Sequence, residues 1–189
     1  PTPFLIDSAN AFDELLQRDE SKEQFLKSNY PPGTKLDGPE VLEIIRDLSL
    51  KKNENLLVYL NLQGGVIERT GDNPGAAACF LTLRAGPDSL HEGADGQRVL
   101  VQELLTECGK AQAANVLVLL EAGDCGPNWR AGILNRDFVA QLQKEVAEAV
   151  KSYPKLRVIG AVSEGESAQA SRQFGDGPSR SVLCTAVGR

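Results

Sequence analysis

Two stretches decide the fold: Leu56-Leu57-Val58-Tyr59-Leu60-Asn61-Leu62 and Asn115-Val116-Leu117-Val118-Leu119-Leu120-Glu121. Each is a near-continuous apolar run of strand length, the pattern of strands buried on both faces of a parallel sheet. A third such run, Leu156 to Val162, follows Tyr153-Pro154. Helical spacing fills the gaps between them. Val101, Leu104, Leu105 and Cys108 precede the second run, and Phe138, Leu142, Val146 and Ala149 lie in a helix expected from about Asp137 to Ser152. Ahead of the first run, Asp37 with Glu40 three residues on predicts a capping box, with Pro39 in the first turn where its missing N–H does no harm. The helix it opens carries Val41, Ile44, Ile45 and Leu48 on one face.

Between the first run and the Val101 helix, Val66 to Arg84 reads as a hairpin, because Gly71-Asp72-Asn73-Pro74-Gly75 is dense turn chemistry between two β-prone segments. A polar loop, Gly86 to Gly96, follows. Near the N-terminus, Pro3 to Asp7 reads as a short strand, and Phe12, Leu15 and Leu16 begin a helix stopped by Tyr30-Pro31-Pro32-Gly33. Strands alternating with amphipathic helices predict an α/β fold of three layers: a mostly parallel, doubly wound sheet with helices on both faces. The whole of 1–189 is read as one domain. At the far end, Ser179 to Val187 reads as the opening of another amphipathic helix. Its unfinished stripe, together with a first residue that is not Met, leads to the expectation of a piece of a longer polypeptide.

Composition narrows the function classes. Hydrophobic residues at 41% and charged residues at 24% are ordinary globular usage. A net charge of −6 weighs against nucleic-acid or anionic-membrane surfaces. No run approaches the roughly 18 apolar residues of a membrane span, and no secretory pattern opens the chain, so a cytoplasmic location is expected. The four cysteines, Cys79, Cys108, Cys125 and Cys184, form no C-x-x-C pair, and His91 is the single histidine. That ligand set predicts no structural metal and no cofactor. Cys79 and Cys108 fall in apolar patterns and read as small buried hydrophobes.

In open α/β sheets, chemistry gathers at the carboxyl ends of the strands. Three such ends are legible: Gln63-Gly64-Gly65, Glu121 to Gly126, and Ser163 to Ser167. They nominate Gly64, Gly65, Glu121, Asp124, Trp129, Ser163, Glu164 and Glu166 as residues lining a cleft. Trp129 reads first as a packing anchor for its loop and second as a wall of the cleft. Phosphate-binding glycine motifs are missing, and Gly165-Glu166-Ser167-Ala168-Gln169 lacks the last glycine of a serine-hydrolase elbow.

The arrangement resembles the caspase-like (clan CD) cysteine peptidases. In that family one core strand ends in His-Gly, the general base, and the next core strand, after a hairpin and a helix, ends in the nucleophilic cysteine. Leu57 to Gly64 looks like the first of these and Val116 to Gly123 like the second. Pro127 to Phe138, Ser163 to Ser167 and Ser179 to Leu183 are similar to segments of caspase-like domains in large planctomycete-type, hence bacterial, proteins. The resemblance covers about Asn55 to Val187 and implies a caspase-like fold.

The departures from the family pattern fall on its chemistry. Gln63 stands where the histidine belongs and Gly123 where the cysteine belongs. An amide takes no proton near neutral pH, glycine offers no nucleophile, and thiol catalysis needs a thiolate with an adjacent base. The expectation is therefore a catalytically inactive pseudo-peptidase that serves as an interaction or scaffolding module, bound to other domains of its own polypeptide or to a protein partner. Two alternatives stand beside it. A displaced dyad of His91 and Cys125 would make a cysteine endopeptidase, and the same strand ends could serve a small-molecule or nucleotide-binding domain.

Overall fold

The computed structural model describes residues 36–70, 74–82, 84–86, 89–90, 94–124, 138–161, 170–171 and 180–181. The chain divides into two compact units, Lys35–Ser167 and a second made of Pro1–Thr34 with Ala168–Arg189. In the second unit the described residues form a small antiparallel pair, β8 (Ala170–Ser171) with β9 (Arg180–Ser181). Arg180 and Ser181 are thus strand, where the sequence pattern predicts the first turn of a helix. Serine competes poorly in helices, and Ala170–Ser171 offers it a ladder partner instead. The Pro3–Asp7 strand, the Phe12 helix and the segment 182–187 lie outside the described residues.

In the larger unit the element order is α1 (Gly38–Arg46), β1 (Asn55–Leu60), β2 (Gln63–Arg69), β3 (Gly75–Leu81), β4 (Arg98–Leu100), α2 (Val101–Lys110), β5 (Asn115–Leu120), β6 (Gly123–Asp124), α3 (Phe138–Ser152) and β7 (Leu156–Gly160). Helix α1 starts as the sequence predicts. Asp37 Oδ1 accepts from the Glu40 amide at 3.0 Å, and Glu40 Oε2 accepts from the Asp37 amide at 2.8 Å, closing the capping box.

The three apolar runs form one parallel sheet in the order β1-β5-β7. Leu56, Val58, Leu60, Val116, Val118, Leu120, Leu156 and Val158 point to one face, where they join Ile45 of α1, Leu104, Leu105 and Cys108 of α2, and Phe138, Val139 and Leu142 of α3. Among the described residues all three helices therefore cover the same face, and the expected second helical layer is not found there. Topology explains it. The strand order advances in one direction, and right-handed crossovers that both advance the same way leave α2 and α3 on one side. The opposite face presents Leu57 at 36% exposure and Ile159 at 47%.

The hairpin departs from the parallel core into a sheet of its own, ordered β4-β3-β2-β6. Strands β2 and β3 pair antiparallel from Gln63↔Leu81 to Arg69↔Gly75. Gly75, with φ +133, takes the left-handed backbone that the end of the turn demands. The first apolar run is accordingly split. Strand β1 ends at Leu60, and Gln63 opens β2 instead of closing β1, because from Gln63 onward the backbone bonds to Leu81.

Strand β4 spans only Arg98–Leu100, so its ladder on β3 stops at Cys79↔Leu100. Helix α3 completes it with side chains. Glu145 Oε1 accepts from the Ala78 amide at 2.8 Å, and Gln141 Nε2 donates to the Ala76 carbonyl at 2.8 Å and to Glu145 Oε1 at 2.9 Å. A buried backbone amide left unpaired costs about 1–3 kcal/mol, which is what this pair of side chains avoids. The same helix is keyed in at its start. The Phe138 ring meets Phe80 edge to face, centroids 5.9 Å apart, and lies so close to Gly64 that a Cβ there would sit 2.1 Å from Phe138 Cε1.

Candidate functional site

The site is built where two sheets meet at the carboxyl ends of β1 and β5. After Leu60 the chain crosses into β2, and after Leu120 it crosses into β6. These two departures run side by side: β2 and β6 pair in parallel, with Gln63 opposite Gly123 and Gly64 opposite Asp124. The two positions singled out by the resemblance are therefore direct register partners. At that pair the chain offers an amide and a bare backbone, neither of which performs nucleophilic or acid–base chemistry.

Beneath the pair the glycines serve packing. Gly64 and Gly65 are both buried. Gly64 accommodates the Phe138 ring, and a Cβ on Gly65 would sit 2.6 Å from Leu90 Cδ2. These two residues are covered by side chains of the core instead of lining open space.

Beside the pair lies a polar cluster. Alternation along the strands puts Tyr59 and Asn61 on the same side as Glu121, since Leu60 is in register with Leu120. The Tyr59 hydroxyl donates to Glu121 Oε2, and Asn61 Nδ2 donates to the Tyr59 oxygen over a long 3.5 Å. The Glu121 amide donates to the Leu60 carbonyl at 2.8 Å, which fixes the backbone across the two strands. Glu121 is only 2% exposed, and its second carboxyl oxygen, Oε1, is buried with no hydrogen-bond partner. Burial pushes this carboxyl above the ordinary glutamate range, and the Tyr59 hydrogen bond opposes that shift only in part. Such a group is suited to exchanging a proton, or to meeting a donor supplied from outside.

The sequence reading nominated Glu121 but passed over Tyr59 and Asn61 as strand residues. Their signal was present in the period-two alternation, which groups 57, 59 and 61 with 117, 119 and 121 once the register is known. Register between parallel strands joined by some fifty intervening residues was not legible. Of the other nominated residues, the Asp124 backbone pairs with Gly64. His91, Cys125, Trp129, Ser163, Glu164 and Glu166 lie outside the described residues.

Cys79 and Cys108 are fully buried, as their apolar patterns predict. Burial pushes the Cys108 thiol up to about 12, with Glu107 adding to the shift, so it stays protonated and unreactive near neutral pH. Among the described residues no three His, Cys, Asp or Glu side chains cluster to hold a metal ion. Nor is any described helix long and apolar enough to cross a membrane. No protein-family model, curated protein or solved structure matches the chain.

Proposed function

We propose that this domain is a catalytically inactive caspase-like pseudo-peptidase that works as a protein-interaction module in the cytoplasm. The observation that carries the reading is the register pair Gln63↔Gly123. In the family the chain resembles, those two strand ends carry the base and the nucleophile. Here Gln63 and Gly123 are register partners, a closeness that supports the reading, while neither position carries a reactive side chain. The parallel order β1-β5-β7, with the hairpin and α2 between its first two strands, supports the same reading. A strand-end scaffold without catalytic groups can still hold a peptide segment, either from another domain of the same polypeptide or from a separate protein.

The test is incubation with fluorogenic peptides carrying Asp, Arg or Lys at the cleaved position. No turnover above the rate of buffer alone is expected. Turnover that vanishes in Cys125→Ala would overturn the proposal and establish a displaced cysteine nucleophile in its place.

A further inference from the structure

Glu121 poses a problem that the interaction-module reading leaves unsolved. A carboxylate has about four acceptor sites to fill, and an ionised carboxylate buried without enough donors is far costlier than a neutral acid. Glu121 is almost completely enclosed, has Tyr59 as its side-chain donor, and leaves Oε1 unpaired. The neutral acid fits this enclosure and the anion does not. Two residues further on, β6 is held to β2 by only two register pairs, Gln63↔Gly123 and Gly64↔Asp124. Strand β5, by contrast, is held by six pairs to β1 and five to β7. When Glu121 must reach water, β6 is the element that gives way.

We propose that Glu121 is a proton-operated latch: protonated, it stays inside the strand end and keeps β6 on β2; ionised, it turns out to solvent and releases β6, opening the Gln63–Gly123 pair. The direction in which burial moves this carboxyl agrees with such a latch. Among the described residues the surrounding charges do not preempt it. From β1 the facing groups are the Tyr59 phenol and the Asn61 amide. Strand β5 itself contributes Leu119 and Leu120 next to Glu121, and β2 begins with the uncharged Gln63. The charged residues of β2, Glu68 and Arg69, lie at its far end. Arg157 of β7 is in register with Leu117, at the far end of β5, and Asp124 of β6 is in register with Gly64. On the helix-covered side, Glu145 is engaged with the Ala78 amide.

The inference stands on burial and pairing at the end of β5, independently of the pseudo-peptidase reading, which peptide turnover tests separately. Its own test is amide hydrogen exchange at 63–64 and 123–124 between pH 4 and 8, corrected for the intrinsic pH dependence of exchange. Between the ordinary glutamate value of about 4.3 and the higher value of folded Glu121, opening of β6 is expected to rise up to about tenfold per pH unit, then level off. In Glu121→Gln the corrected rates should be flat. In Tyr59→Phe the levelling point should move to higher pH, because the lost hydrogen bond favoured the anion. Equal pH slopes in wild type and Glu121→Gln would overturn the latch. So would a levelling point that stays put or moves down in Tyr59→Phe, a readout that remains should the glutamine variant fail to fold.

Discussion

Two glutamates are buried among the described residues, and their surroundings differ in a way that separates architecture from a site. Glu145, on α3, is 5% exposed and accepts at one oxygen from a strand amide and a neighbouring glutamine. Glu121, at the end of β5, is 2% exposed and rests on one phenol. Each leaves a second oxygen without a partner. The contacts of Glu145 repair a shortfall in the fold, since β4 is too short to cover Ala76 and Ala78. Those of Glu121 repair nothing comparable: its backbone amide already bonds Leu60, and its side chain serves no ladder. A buried carboxyl that finishes a sheet is explained by the sheet. One that finishes nothing, at the carboxyl end of parallel strands, points to a property beyond folding.

The contrast can be broken most severely at the residue both regions share. Phe138 begins the helix that carries Glu145 and fills the notch at Gly64 beside the Gln63–Gly123 pair. Phe138→Ala should cost about 3–5 kcal/mol in urea unfolding and loosen both ends together. The next effect separates them. Glu145→Ala leaves the Ala78 amide buried without an acceptor and should cost about 1–3 kcal/mol. Glu145→Gln retains a carbonyl oxygen for that amide and should cost less.

Glu121→Gln should behave differently in kind, which sharpens the comparison. Because the folded-state carboxyl titrates above its unfolded value, its contribution to stability is complete below the unfolded value and is lost as pH rises through the folded one. Denaturation midpoints of wild type should therefore fall across that window relative to those of Glu121→Gln. An unchanging difference between the two proteins from pH 4 to 8 would remove the distinction drawn between the glutamates. The smallest effect belongs to the surface. Arg46 pairs with Glu107 at 3.3 Å from an exposed position, and Arg46→Ala should cost no more than about 1 kcal/mol, shrinking further at high salt.

Much of this architecture could be read in advance where local physics decides it. The Asp37–Glu40 box fixed a helix start, the spacing of Val101, Leu104, Leu105 and Cys108 fixed a buried face, and the turn residues before Gly75 fixed a hairpin. What escaped depended on partners distant in sequence. Leu62 prolongs the apolar run as a strand would, yet the chain leaves the sheet after Leu60 because Leu81, on the returning strand, claims Gln63. Among the described residues, the shared face of α2 and α3 followed from strand order, which periodicity does not encode. At the site, resemblance to a family pattern put Gln63 and Gly123 near one another, as their register pairing has them, though they open β2 and β6 and do not close β1 and β5. The Tyr59–Glu121 contact needed the parallel register, a tertiary property that apolar runs leave open.

The central claim, that Gln63 and Gly123 mark a peptidase site emptied of its chemistry, can be tested by refilling it. The measurement is the rate at which peptidyl electrophiles carrying Asp, Arg or Lys label the thiol introduced by Gly123→Cys, with and without Gln63→His. Register partners placed as a base and a nucleophile should activate the thiol, so labelling in the double variant should be at least about tenfold faster than in Gly123→Cys alone. Equal rates in the single and double variants would show that these strand ends do not share a catalytic geometry, and would contradict the account.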